Sequence, residues 1–170
     1  KFANKEWIKK IEVLTGFSGE ILQKKTKELP KMDMGFIDGH HRYEAVMHDF
    51  HAFLQIASEN FLLLFDDYAY HVDMGVSKAI NKEIVPNFDV TLIRTNAKQQ
   101  RKEANKQAYE LDMCLIQSNS LKKPLREIFP KPKSDQIINN YLKWEKRWKF
   151  RKNLNSKIPL LGRFRFSSNR

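Results

Sequence analysis

The sequence predicts an α/β fold with a mostly parallel sheet and a basic C-terminal extension. Two observations predict it. Over residues 1–120, short apolar runs alternate with segments of helical period. After residue 120 the charge balance changes. The chain of 170 residues carries a net charge of +11. Residues 121–170 hold 15 Lys/Arg against 3 Asp/Glu, whereas residues 1–120 hold 16 against 17. The body is therefore neutral, and the overall basicity says nothing about what the body binds.

Taken in order, residues 11–15 are β-branched, half-alternating and stopped by Gly16, and read as a first strand. Ser18 can cap a helix to about Leu29, which Pro30 ends. Residues 32–37 form a short apolar strand stopped by Asp38-Gly39. Over residues 42–58, Val46, Phe50, Phe53, Leu54 and Ala57 fall on one helical stripe. His48 and His51 are expected on the polar side of that helix. Their spacing could serve zinc, but no Cys or third nearby His completes a set. Residues 61–65 are continuously apolar, as in a central strand covered on both faces. Residues 75–85 read as a helix closed by Pro86-Asn87. Residues 90–93 and 113–116 are two further strands with only a polar segment, 96–108, between them, which favours an antiparallel pair. Cys114, in an apolar run, reads as a small core residue. A single Cys excludes an internal disulfide framework and suits a reducing, cytoplasmic compartment. No stretch approaches the ~20 apolar residues of a membrane span, and residues 1–5 lack the apolar run of a signal peptide.

In parallel sheets ligands bind at the carboxyl ends of the strands. Asp38 follows one strand and Asp66-Asp67 follow another. If the two strands are neighbours, their axes lie roughly 5 Å apart. Three carboxylates then repel unless a cation sits among them, and hard oxygen ligands suit Mg²⁺. The alternative is that these acids cap or turn the chain. His40 and His41 offer a base near neutral pH, or are solvated loop residues; His71 is a weaker candidate. No G-x-G-x-x-G, Walker or G-x-S-x-G sequence occurs, so NTPase and hydrolase readings have little support. In the extension, Pro124, Pro130 and Pro132 precede a helix expected over residues 136–152, where Tyr141, Trp144 and Trp148 interleave with Lys and Arg. Such a pattern can bind RNA or an anionic membrane. The simpler alternative, given more weight, is that the rings pack on the body and the charges are solvated.

The block Ile37-Asp38-Gly39-His40-His41-Arg42-Tyr43-Glu44-Ala45-Val46, with Asp49 downstream, resembles the IDG-x-H-x-YE-x-V-x-x-D block of class I S-adenosylmethionine-dependent methyltransferases. Leu64-Phe65-Asp66-Asp67-Tyr68, followed by Gly75-Val76-x-x-Ala79-Ile80, resembles the next block. Over about residues 7–117 the chain is similar to the group that includes metal-dependent sugar and macrolide O-methyltransferases. The resemblance implies a partial Rossmann-like methyltransferase sheet. Residues 1–120 would be the C-terminal half of the domain, with strands three to seven, and residues 121–170 an added extension. It implies O-methylation of a small hydroxylated substrate, a sugar or glycan unit, with S-adenosylmethionine and Mg²⁺ as cofactors. Asp38, Asp66 and Asp67 map onto the metal ligands, His40 and Asp38 onto catalytic positions, and Phe17, Ser18 and Asp38 onto cofactor contacts. In the implied mechanism the metal acidifies an acceptor hydroxyl, His40 takes its proton, and the oxygen attacks the sulfonium methyl in line. The Gly-rich loop of the first two strands has no counterpart here, so the activity of these residues alone stays open. Gly16-Phe17-Ser18 stands where the family often has Gly-Asp; Phe17 could stack on adenine or simply pack, and Ser18 could donate a hydrogen bond. The alternative function is a degenerate methyltransferase fold that docks RNA or an anionic membrane through the extension.

Overall fold

The computed structural model describes residues 9–69, 75–99, 109–121 and 123–157. Helix α1 spans Ser18–Lys25, strand β1 Met32–Ile37, helix α2 Tyr43–Ile56 and strand β2 Ala57–Tyr68. Helix α3, Gly75–Ala79, continues as a π turn over Ile80–Ile84. Strands β3, Val90–Gln99, and β4, Tyr109–Gln117, follow. A short helix α4, Leu125–Ile128, leads to the long α5, Lys131–Lys157. The mixed α/β architecture fits a partial Rossmann-like methyltransferase fold.

The strands form one four-stranded sheet in the order β1-β2-β4-β3. β1 and β2 are parallel, with Ile37 opposite Phe65. β4 runs antiparallel to both β2 and β3. The expected antiparallel pairing of the last two strands is present, but the sheet is mixed rather than mostly parallel. Residues 11–15, expected as a strand, lie outside it; Ile11 is 63% and Val13 80% exposed. A β-branched run becomes a strand only beside a partner edge, and residues 11–15 pair with none of the described strands.

Helices α2 and α3 lie on one face of the sheet over an aromatic core. Phe50 of α2 is fully buried, with ring centroids 6.0 Å from Phe65, 6.4 Å from Phe88 and 5.1 Å from Phe129. Phe61, Leu63 and Phe65 of β2, and Cys114 and Ile116 of β4, complete it. Burial pushes the Cys114 thiol up to about 12, so it is the core residue the sequence suggested. The opposite face carries Met34, Phe36, Leu62 and Ile93, all exposed. β2 was expected to be covered on both faces; among the described residues only one face is covered.

α5 seats on α2, and this changes the place of two histidines. His48 and His51 are not on a polar side: both are buried. His48 stacks against Tyr141 at 4.6 Å, and His51 Nδ1 pairs with the Ser134 hydroxyl at 2.9 Å. One face of α2 meets the sheet and another meets α5, so little of the helix is left to solvent. Among the described residues no helix is long and apolar enough to cross a membrane.

Candidate functional site

The site is built where β1 and β2 end. Because Ile37 and Phe65 are register partners, Asp38 and Asp66 leave adjacent parallel strands side by side. The β2–β4 ladder slips by one residue between Phe65 and Tyr68, so Asp66 and Asp67 occupy a bulge. Asp67 sits in the left-handed region at φ 57°. A bulge of this kind re-aims a side chain beside a site. Here it brings Asp67 to the 38–41 loop, where His41 Nε2 lies 2.7 Å from Asp67 Oδ2. Asp38, His41 and Asp67 each offer a ligand atom, and these atoms lie within 4.8 Å of one another.

His41 is held in place from behind. A Cβ on Gly75 would lie 2.3 Å from the His41 carbonyl oxygen and 2.3 Å from the Tyr43 amide nitrogen. Only glycine lets the start of α3 press this closely on the loop. On the far side, the Asp49 carboxylate lies against Gly39.

The electrostatics are those of a crowded acid site. Burial raises the Asp67 carboxyl above its ordinary value; the nearby His41 opposes this, and the Asp66 and Asp38 carboxylates add to it. Two carboxylates and an imidazole are a donor set that a divalent cation fits, and the imidazole nitrogen suits Mn²⁺ better than Mg²⁺, whose ligands are oxygens. Asp66 lines the same crevice as Asp38 and His41 but is outside the set of three. His40 is also outside it: its Nδ1 accepts the Arg42 amide N–H at 3.2 Å. His71 lies outside the described residues.

Phe17 and Ser18 are occupied within the fold. Phe17 packs beside Ala52, Ile138 and Leu142, with Lys149 Nζ 4.2 Å over its ring. Ser18 was expected to cap α1, but no side-chain cap forms there. Its hydroxyl instead donates to the Asp49 carboxylate, beside His48. Asp49 was visible in the sequence only as the last letter of a block; its work is to join α1, α2 and the loop after β1.

A cavity of about 480 Å³ opens between α2, the π turn and α5. Tyr141 and Trp144 line it with Arg42, Glu44, Glu83 and Asn140. Arg42 follows His41 directly and lies 4.6 Å over the Trp144 ring, so one loop contributes to both the acid cluster and the cavity wall. The Tyr43 hydroxyl donates to Glu83 at 2.8 Å, and burial with this carboxylate pushes Tyr43 up to about 12. Sequence reasoning missed the cavity because half of its wall comes from α5, far away in the chain.

No curated protein matches the chain. Residues 3–68 match a family model described as a methyltransferase domain. That stretch contains β1, the 38–41 loop, α2 and the Asp66-Asp67 bulge, and the match supports a methyltransferase domain, and hence a transferase, over the segment that carries the acid cluster.

Proposed function

We propose that the chain serves an S-adenosylmethionine-dependent O-methyltransferase acting on a small hydroxylated acceptor, a sugar or glycan unit, with a divalent cation held by Asp38, His41 and Asp67. The observation that carries this reading is the meeting of those three side chains within 4.8 Å at the carboxyl ends of two parallel strands. The matched methyltransferase family supports the donor class.

The bound cation would supply Lewis acidity toward an acceptor hydroxyl. The chain's own residues do the rest. Asp38 and Asp67 balance the charge, and Asp67 orients His41 through the 2.7 Å contact. His40, the residue mapped onto the base, accepts the Arg42 amide N–H at Nδ1. The cavity beside the loop presents two rings together with carboxylates and an amide, a lining suited to a ring that bears hydroxyls. For the donor, Phe17 and Ser18 are already engaged and the sequence holds no Gly-rich loop. Of the residues mapped onto cofactor contacts, Asp38 alone is free of such engagements among the contacts described.

The test is calorimetric titration with MnCl₂ and MgCl₂. One divalent ion is expected per chain, and Asp38→Ala with Asp67→Ala should abolish its binding while leaving the circular dichroism unchanged. Undiminished metal affinity in that variant defeats the proposed site. Transfer of labelled methyl from S-adenosylmethionine to a panel of monosaccharides, with and without EDTA, then tests the reaction.

A further inference from the structure

Helix α5 carries a row of rings that continues past the cavity wall to Trp148, which the methyl-transfer reading does not use. Its inner side, Ser134, Ile138, Tyr141 and Leu142, is buried against the body. From Tyr141 a row of rings runs outward along the helix. Tyr141 and Trp144 stack with centroids 5.9 Å apart at 30°, and Trp144 and Trp148 at 6.4 Å and 16°. Each indole lies under a cation: Arg42 Cζ is 4.6 Å from the Trp144 ring and Lys152 Nζ 5.2 Å from the Trp148 ring. Trp144 nevertheless remains 40% and Trp148 45% exposed. From Tyr141 through Lys152 the sequence has six Lys/Arg and one acid, Glu145.

We propose that the outer end of this row is a docking surface for single-stranded RNA, with a base stacking on Trp148 and phosphates taken by the flanking Lys and Arg. Non-specific single-strand sites combine these two elements, aromatic faces and a basic track. The cations over the rings are the groups that would move to the phosphates, so the surface holds both halves of the contact. Unstacked bases are the form in which RNA is ordinarily recognised. A lipid surface fits the helix less well. An interfacial helix needs a continuous apolar face opposite its charges, and the aliphatic residues Ile138 and Leu142 are instead spent on α2 and α1.

The experiment uses the whole chain without metal or methyl donor, so its outcome does not depend on the acid cluster. Fluorescein-labelled decauridylate is titrated by anisotropy at 50 and 200 mM KCl. Saturable binding is expected, with log K falling linearly against log salt. Trp148→Ala should weaken binding about ten-fold, as expected for one stacked base, with the salt slope kept. Trp148→Phe should restore most of the affinity. Lys149→Ala with Lys152→Ala should flatten the slope. The proposal is overturned if decauridylate does not bind, if Trp148→Ala binds as well as the parent, or if phosphatidylglycerol vesicles are bound in preference to RNA. Circular dichroism of each variant shows that α5 is intact.

Discussion

At the scale of single residues, Asp67 concentrates the chemistry and the strain of the site. A non-glycine residue at φ 57° is disfavoured, but Asp and Asn tolerate this region better than other residues. Substitutions can therefore separate its two tasks. Asp67→Asn should keep the bulge, with stability within about 0.5 kcal/mol of the parent, and lose divalent-ion affinity. Asp67→Val should cost about 1–2 kcal/mol in urea unfolding, because a β-branched side chain clashes in the left-handed region. Equal losses in the two variants would show that the carboxylate itself holds the fold. The acids of this site were legible in the sequence: an aspartate directly after an apolar run marks a strand end, and Asp38 and Asp67 are two of three residues so marked. The histidine was not. His40 and His41 are chemically identical, and the choice between them is made by the backbone of α3 pressing on the loop through Gly75. No local pattern encodes that contact.

At the scale of elements, the junction of α2 and α5 depends on neutral histidine. His51 is fully buried between Phe50, Phe129 and the Ser134 hydroxyl. Burial, helped by Lys133, depresses its pKa from 6.5 to about 4. The unfolded chain thus takes up this proton more readily than the folded one. The stabilising effect is complete above pH 6.5 and is lost as pH falls from there toward 4, with an upper bound on the order of 3 kcal/mol. Urea unfolding at pH 7 and pH 5 should show a loss of about 2 kcal/mol attributable to this group. His51→Leu should be less stable than the parent at pH 7, since Ser134 loses its partner, but should lack that part of the pH dependence. An unchanged pH dependence in the variant would place the titrating group elsewhere. The helical period of α2 revealed the face that meets the sheet and misassigned His48 and His51, because it assumes one buried face. The second cover, α5, is mostly polar, and only its tertiary seat on α2 shows which of its residues are apolar anchors.

At the scale of the whole molecule, the described residues cover one face of the sheet and leave the other bare. Phe61, Leu63 and Phe65 meet the helices, while Leu62 and Leu64 alternate with them toward the opposite face. There the ladder sets Phe36 beside Leu64 and Leu64 beside Leu115, and Met34 beside Leu62. Met34 is 62% and Phe36 52% exposed. A continuous apolar run such as residues 61–65 is the signature of a strand with layers on both sides. The run thus calls for a second layer, and the described residues do not contain it. An apolar face of this kind on a monomer promotes association or marks an interface. The chain by itself should therefore bind 8-anilinonaphthalene-1-sulfonate strongly and associate at micromolar concentration in sedimentation experiments. Phe36→Lys with Leu62→Lys should suppress both effects at little cost to stability, because neither side chain enters the aromatic core. A parent chain that sediments as a monomer and leaves the dye dark would mean that the face is already covered. In that case the lysine pair should instead destabilise the fold by several kcal/mol, as a charge forced into a buried layer does.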